Sequence, residues 1–380
     1  MIDSLAGATD KLKDLAGARA PRGEFLTVTL STSPLDDWRQ FAPTFINSEF
    51  GRITRERSLS KDQKRILESE LDAVQAVLKY DLTPRTQGLA LFANGGGGIY
   101  QRIELPFKLM NRVVLEPSPY VRPVVHALSL LEPFILARVS RDESSLYLVD
   151  EWGVVKEDDL SGPWLRTSDR ETGEVSVKEY FAAARHDELV DLHYKEVATA
   201  LAKRLEGSPV RRVVLCAQHD IASAFRRTLP PAVAPKVVAE IPFDATAPNE
   251  MMANARKAAG EARQKELVRL AARIKEGLSS HGHGAAGFDE VMDALERGQI
   301  QTMMVDRNYR PPGWACRDCD WAGLTLVDEC PRCGGKPVPV ADAVGELVRL
   351  AILQSSRVEV AEDVPALDEM GGVAALLRFA

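Results

Sequence analysis

The sequence predicts a multidomain protein of mixed α/β and α+β class, with a zinc-ribbon insertion in its C-terminal α/β domain. Three observations carry this. The chain has 380 residues, room for two to four domains of about 100–200 residues each. From Val213 onward, short apolar β-branched runs alternate with amphipathic helical stretches, the pattern of a layered α/β domain. Four of the five cysteines fall in two C-x-x-C pairs, Cys316-Arg-Asp-Cys319 and Cys330-Pro-Arg-Cys333, separated by ten residues.

Taken in order, residues 2–19 read as an amphipathic helix or arm, and 25–32 as a strand of alternating β-branched residues. Residues 61–80 place Ile66, Leu67, Leu71, Val74, Val77 and Leu78 on one helical face. Residues 88–93 and 99–105 are strands around four consecutive glycines. No helix and no Lys-Ser/Thr follow those glycines, so a hairpin turn fits better than a phosphate loop. Residues 117–123 read as a linker. Beyond it come a helix (124–131), strands (133–139, 146–149, 153–155), a polar loop (158–173) and a long helix (176–205). His186 and His193 on that helix lack a third ligand and read as surface or boundary residues. Ser208-Pro209 marks the next boundary. A strand at 213–217, a helix at 223–228, a strand at 235–241 and a long helix at 248–278 follow. A flexible turn carries His281-Gly282-His283. The last elements are a helix (288–295), a strand (301–306), the cysteine insertion, a helix (344–353) and a strand (357–360).

Hydrophobic residues make up 45% and charged residues 27%, which excludes a wholly disordered or fibrous chain. No stretch approaches the ~18 apolar residues of a membrane span, and the N-terminus lacks a signal-peptide core. A cytoplasmic protein is expected. The net charge of −7 and pI of 5.6 exclude a duplex-coating basic protein, whose pI lies above about 9. Neither a membrane nor DNA is expected as a partner.

Two pairs of soft thiolates suit tetrahedral zinc, and Gly334-Gly335 after the second pair supply the backbone freedom of a knuckle. Disulfides do not suit a cytosolic chain. Short symmetric pairing is less typical of an iron–sulfur cluster. Four thiolates leave no open coordination position, so Cys316, Cys319, Cys330 and Cys333 predict one structural zinc. Cys216, in an apolar run, reads as core.

Residues 1–118 sum to +1, 119–207 to −6 and 208–380 to −2. Within the first region, residues 50–65 carry Arg52, Arg55, Arg57, Lys61, Lys64 and Arg65 against Glu56 and Asp62, a local +4. That is either a solvated helix face or a phosphate-contacting surface.

One further pattern spans nearly the whole chain from about residue 24. Leu115-Glu116-Pro117-Ser118-Pro119 precedes a helix–strand–strand block that ends in a long helix. Phe288-Asp289-Glu290-Val291-Met292-Asp293-Ala294-Leu295-Glu296-Arg297-Gly298 leads into a strand and then the cysteine-paired insertion. The chain closes on Met370-Gly371-Gly372-Val373-Ala374-Ala375-Leu376-Leu377-Arg378-Phe379. This order resembles the archaeo-eukaryotic class I peptide-release-factor and Pelota family, and most closely its divergent bacterial group, which includes ribosome-hibernation factors. The resemblance implies three domains in release-factor and Pelota order. These are a decoding-site-like α+β domain at 1–118, a central α/β domain at 119–207, and a GTPase-interacting α/β domain at 208–380 with its ribbon at 314–336.

The family's Gly-Gly-Gln, which positions water for peptidyl-tRNA hydrolysis, occurs nowhere in this chain. Its codon-reading Asn-Ile-Lys-Ser is replaced by Arg52-Ile53-Thr54-Arg55. The resemblance therefore implies a non-catalytic factor with no catalytic residues, binding the ribosomal A site of idle or stalled ribosomes. Its ribosomal RNA contacts would be Arg52, Arg55, Arg57, Lys61, Lys64, Arg65, Arg166 and Arg170, and its partner a translational GTPase such as elongation factor Tu. The central domain's −6, with a neutral loop at 161–178, argues against RNA. Two alternatives stand beside this reading. One is a release factor or peptidyl-tRNA hydrolase using Arg166, Ser168, Asp169 or Glu174. The other is a zinc-ribbon adaptor unrelated to ribosomes.

Overall fold

A computed structural model describes residues 5–18, 24–33, 37–57, 59–79, 82, 85–94, 99–130, 132–150, 153–162, 178–208, 210–243, 248–280 and 282–379. The chain forms two compact units. One comprises Met1–Leu130 with Leu267–Ala380, the other Leu131–Glu266.

The first unit begins with α1 (Leu5–Gly17), β1 (Phe25–Ser31), α2 (Trp38–Glu56), α3 (Lys61–Leu78), β2 (Gly88–Asn94), β3 (Ile99–Leu105) and β4 (Arg112–Glu116). The strands form an antiparallel sheet in the order β3-β2-β1-β4. Successive strand side chains point to opposite faces. Leu26, Val28, Leu30, Leu89 and Leu91 pack under α2 and α3, while Ala90, Phe92, Ile103 and Leu105 face the core shared with α1. Both faces are thus covered, which is why β2 is buried throughout. The Ser60–Gln63 capping box starts α3. Asn94 pairs with Ile99 as a hairpin requires; the four glycines between them lie outside the described residues.

Sequence reading missed α2. It holds an internal proline, Pro43, and buries only Trp38, Ala42 and Ile46, so it lacks a continuous apolar stripe. Sequence reading also took 117–123 as a linker. Ser118, Pro119, Tyr120 and Val121 are all buried, and they lead into α4 (Arg122–Ser129) within the first unit.

The second unit holds β5 (Phe134–Arg138), β6 (Glu143–Asp150), β7 (Gly153–Ser161), α5 (Lys178–Leu205), β8 (Arg212–Cys216), α6 (His219–Arg226) and β9 (Val237–Ile241). Its sheet runs β7-β6-β5-β8-β9. β5, β8 and β9 are parallel, and β6 and β7 antiparallel. A parallel neighbour needs a crossover, and α5 lies between β5 and β8 in the chain. α5 and α6 cover one face; the first half of α7 (Pro248–Ser280) covers the other through Ala255, Met251 and Met252. A boundary at residue 208 therefore falls inside one sheet. Glu206 and Gly207 form a turn within a βαβ crossover, and such a turn carries the same composition as an interdomain linker.

The first unit resumes with the second half of α7, β10 (Gly284–Ala286), α8 (Phe288–Glu296), β11 (Ile300–Asp306), β12 (Gly313–Cys316), β13 (Ala322–Gly323), β14 (Pro337–Val340), α9 (Ala343–Leu353), β15 (Arg357–Ala361), α10 (Pro365–Glu369) and β16 (Val373–Leu377). A mixed sheet runs β10-β16-β11-β15, and the ribbon forms its own sheet, β13-β12-β14. α8 and α9 pack on one face of the mixed sheet. Leu267, Ala271 and Ile274 of α7 join α10 on the other. Among the described residues, no helix is long and apolar enough to cross a membrane.

Candidate metal centre and nucleic-acid interface

β12 delivers Cys316 at its end, and a tight knuckle returns Cys319 beside it, with the Cys316 amide donating to the Trp321 carbonyl at 2.7 Å. The second knuckle closes through Cys330 N–H to Gly335 O (2.8 Å) and Gly334 N–H to Cys330 O (2.9 Å). Gly334 has φ +72°, a left-handed angle that glycine adopts without strain. At Gly335 a Cβ would stand 2.2 Å from Asp318 Oδ2, and the Gly335 amide donates to Cys333 Sγ at 3.4 Å. Gly334 is thus required by the knuckle geometry, while at Gly335 a Cβ would displace the Asp318 carboxylate and press on Cys333 Sγ.

The four sulfurs all lie within 4.8 Å of one another, and all four cysteines are free. Burial pushes the Cys319 thiol up to about 12. Burial also opposes ionisation of Cys330, but the amides of Cys333 and Arg332 and the neighbouring sulfurs outweigh it and bring that thiol to about 7. Sulfurs this close cannot all be thiolates without a central cation, and a bound cation reverses that cost. The donor set fits zinc, which would cross-link the two knuckles as a closed structural centre.

The ribbon is anchored on its neighbours. Ala315, Ala322 and Val340 belong to the main core. Arg317, inside the first knuckle, bonds Glu24 at 3.1 Å. Asp320 accepts from Arg349 at 2.6 Å. Arg332 pairs with Glu296 and lies over the Trp321 ring.

Beside the ribbon is a buried polar network that sequence reading missed. Arg122 donates from Nη1 to both oxygens of Asp342 (2.8 and 2.7 Å) and from Nη2 to the carbonyls of Asp306 and Tyr309. Tyr120 donates to Asp342 at 2.6 Å. Arg349 bonds Glu346, Asp320 and the Ala16 carbonyl. Ser118 donates to Glu346. Burial, followed by the charges of Glu346 and Asp342, pushes Glu116 up to about 8, so its carboxyl is protonated at neutral pH. The sequence offered only a polar residue inside an apolar helix as a signal, as with Glu346 and Arg349 in α9.

The cations of residues 50–65 divide between two elements. Arg52 sits between Glu49 and Glu56 on α2; its bonds to them hold its pKa above the ordinary arginine value. Arg57 is half-buried and committed to Glu24 and the Leu115 carbonyl. These two are occupied within the fold. Arg55 is exposed, with Nε bonded to the Gly51 carbonyl. Lys61, Lys64 and Arg65 are exposed at i, i+3 and i+4 of α3, one helix face, and make no ion pair among the described residues. Arg166, Arg170 and Glu174 lie outside the described residues.

His193, expected at a surface or boundary, is fully buried. It lies on the same α5 face as Val190, Tyr194 and Val197. Its Nε2 is 2.9 Å from Ser144 Oγ, and burial lowers its pKa, keeping it neutral. Cys216 is core, as expected.

A two-unit mixed α/β protein with a four-cysteine ribbon in its C-terminal region is the class these features define. The model of the bacterial archaeo-eukaryotic release factor family 10 matches residues 119–263. Over that segment the chain is similar to this family. No curated protein matches. Among solved structures, an archaeal translation termination factor is 17% identical, covering 99% of this chain and 98% of its own, with a TM-score of 0.27. Archaeoglobus fulgidus Pelota is 14% identical, covering 100% and 94%, with a TM-score of 0.33. Saccharomyces cerevisiae Dom34, a translation termination-like factor, is 12% identical, covering 77% and 79%, with a TM-score of 0.42.

Proposed function

We propose that this protein is a cytoplasmic, non-catalytic translation factor that binds the A site of idle or stalled ribosomes, in company with a translational GTPase such as elongation factor Tu. The observation that supports it is a release-factor family match over residues 119–263 in a chain with no Gly-Gly-Gln. Hydrolysis of peptidyl-tRNA needs a close backbone approach to the ester and a side chain that orients water. Thr172-Gly173-Glu174 offers an acid instead. An exposed glutamate titrates near ~4.3. Its charge would oppose the oxyanion whose stabilisation is usually the largest catalytic contribution.

The exposed cations Arg55, Lys61, Lys64 and Arg65 are the RNA contacts we assign to the N-terminal region, with zinc as a structural cofactor. The test is cosedimentation with purified ribosomes, paired with peptide release from ribosomes carrying labelled peptidyl-tRNA. Binding without release is the expected result. Release well above buffer that is lost in Glu174→Ala would replace this reading with the hydrolase, and absence from the ribosome pellet would favour an unrelated adaptor.

A further inference from the structure

We infer that the ribbon's outer loop, residues 325–329, docks on protein, and that its partner is a basic protein surface of the ribosome carrying an apolar pocket. The loop leaves β13, ends at the second knuckle, and is tied at both ends. Trp314 Nε1 donates to the Thr325 carbonyl at 2.7 Å, and Leu324 packs against the main core. At the other end Cys330 is buried, and its amide donates to the Gly335 carbonyl at 2.8 Å. Between these ties Leu326 and Val327 stand out in solvent. Leu326 is 67% exposed, the most of any large apolar side chain among the described residues, and Val327 is 39% exposed. A lone exposed leucine is ordinary. Two neighbours on a loop already tied down need little further ordering when they bind.

Charge selects the partner. Asp328 and Glu329 follow Val327, are exposed, and make no ion pair among the described residues. The ribbon's arginines are engaged, Arg317 with Glu24 and Arg332 with Glu296. The loop itself holds no cation. It thus presents two apolar side chains beside two unpaired carboxylates. RNA phosphates would meet like charge there, most strongly at low salt. A second copy of this chain, net −7, is also a poor match. A surface with an apolar pocket rimmed by Lys or Arg suits both features, because it buries the apolar pair and places opposite charge against the carboxylates. So short a loop covers less than the roughly 1,000 Å² of a stable interface. It therefore acts as one anchor, alongside the contacts assigned to α3.

The ribosome as the place of that partner rests on the reading above. The test puts the photo-crosslinker p-benzoylphenylalanine at position 326 of the full chain and irradiates it with purified ribosomes. A cross-link into a ribosomal protein, identified by mass spectrometry, is expected. Two variants accompany it in pelleting assays, Leu326→Ser/Val327→Ser and Asp328→Asn/Glu329→Gln. Loss of the apolar pair should weaken binding about tenfold. Loss of the two charges should weaken it about threefold at low salt, and less as salt is added. Tighter binding of the amide variant, or a cross-link into RNA or a second copy of this chain, overturns the docking partner. So does wild-type pelleting of either variant, or the absence of any cross-link. Zinc content and thermal melting check that the variants fold, and the cross-link decides alone where one does not. A wild type that fails to pellet sinks the ribosome reading together with this partner. Pelleting without a protein cross-link sinks the docking inference alone.

Discussion

Lys61, Lys64 and Arg65 on α3 and Arg122 and Arg349 in the core belong to one unit, and the fold treats them in opposite ways. The first three project into water without a partner among the described residues. The other two are nearly sealed, at 2% and 1% exposure, and each is bonded to both carboxylates and carbonyls. In sequence both sets are simply cations. What separates them is desolvation: a buried charge survives only if it is fully paired, whereas an exposed one costs nothing to leave unpaired and stays available to an outside anion.

The largest effect on stability should come from the metal. Structural zinc contributes about 10–16 kcal/mol in small zinc domains. Cys330→Ser, or a chelator, should release one zinc per chain, measurable by metal analysis. In sequence the ribbon is an insertion in the C-terminal domain. The bonds from Arg317 to Glu24 and from Arg349 to Asp320 and Ala16 instead carry the disturbance outward, so hydrogen exchange should quicken in α1 as well as in 314–336. Protection unchanged in α1 would show that the ribbon is uncoupled.

Next comes pH. Glu116 titrates near 8 in the fold against 4.5 as an ordinary glutamate, so the folded state holds its proton more tightly than the unfolded chain. Its contribution is therefore full below about 4.5 and is lost as pH rises through 8, on the order of 4–5 kcal/mol in all. Urea melts should show stability falling between about pH 4.5 and pH 8 and levelling off above that. Glu116→Gln, which keeps an acceptor for the Ala341 amide, should flatten that fall; an equally steep fall in the variant would assign it elsewhere.

Arg122→Met strands Asp342 without its cation and should cost about 3–5 kcal/mol. The pairing argument predicts a smaller loss when Asp342→Asn accompanies it, read by a double-mutant cycle in urea. Smallest of all, Lys61→Glu/Lys64→Glu/Arg65→Glu should move stability by about 0.5 kcal/mol per site or less, while weakening ribosome binding and its salt dependence. Unchanged pelleting would make that face merely solvated.

Legibility followed the same division. The metal ligands were readable because C-x-x-C spacing is local chemistry; so were β1, β2 and α3, whose periodicity is undisturbed. α2 was not, because Pro43 and a thin apolar stripe hide it. Arg57 looked like part of a basic surface because nothing near it in sequence announces Glu24 or the Leu115 carbonyl. His193 looked like a surface or boundary residue although it continues the stripe of Val190, Tyr194 and Val197. For Arg57 and His193 the deciding partner came from a distant segment, and so did the pairing of β8 with β5 that moved the unit boundary.

The two units also differ in when they can be completed. Residues 131–266 are contiguous, so that unit has its whole sheet available once its own segment has been synthesised. The first unit is split around it. The Ala16 carbonyl waits for Arg349, 333 positions later, and Ser118 for Glu346, 228 positions later. Since domains generally fold as units in the order of synthesis, the inner unit should be native on the nascent chain while α1 and the N-terminal sheet still lack half of their shared core. Until the C-terminal segment emerges, Phe92, Ile103 and Leu105 face solvent, a natural landing place for a chaperone during biosynthesis.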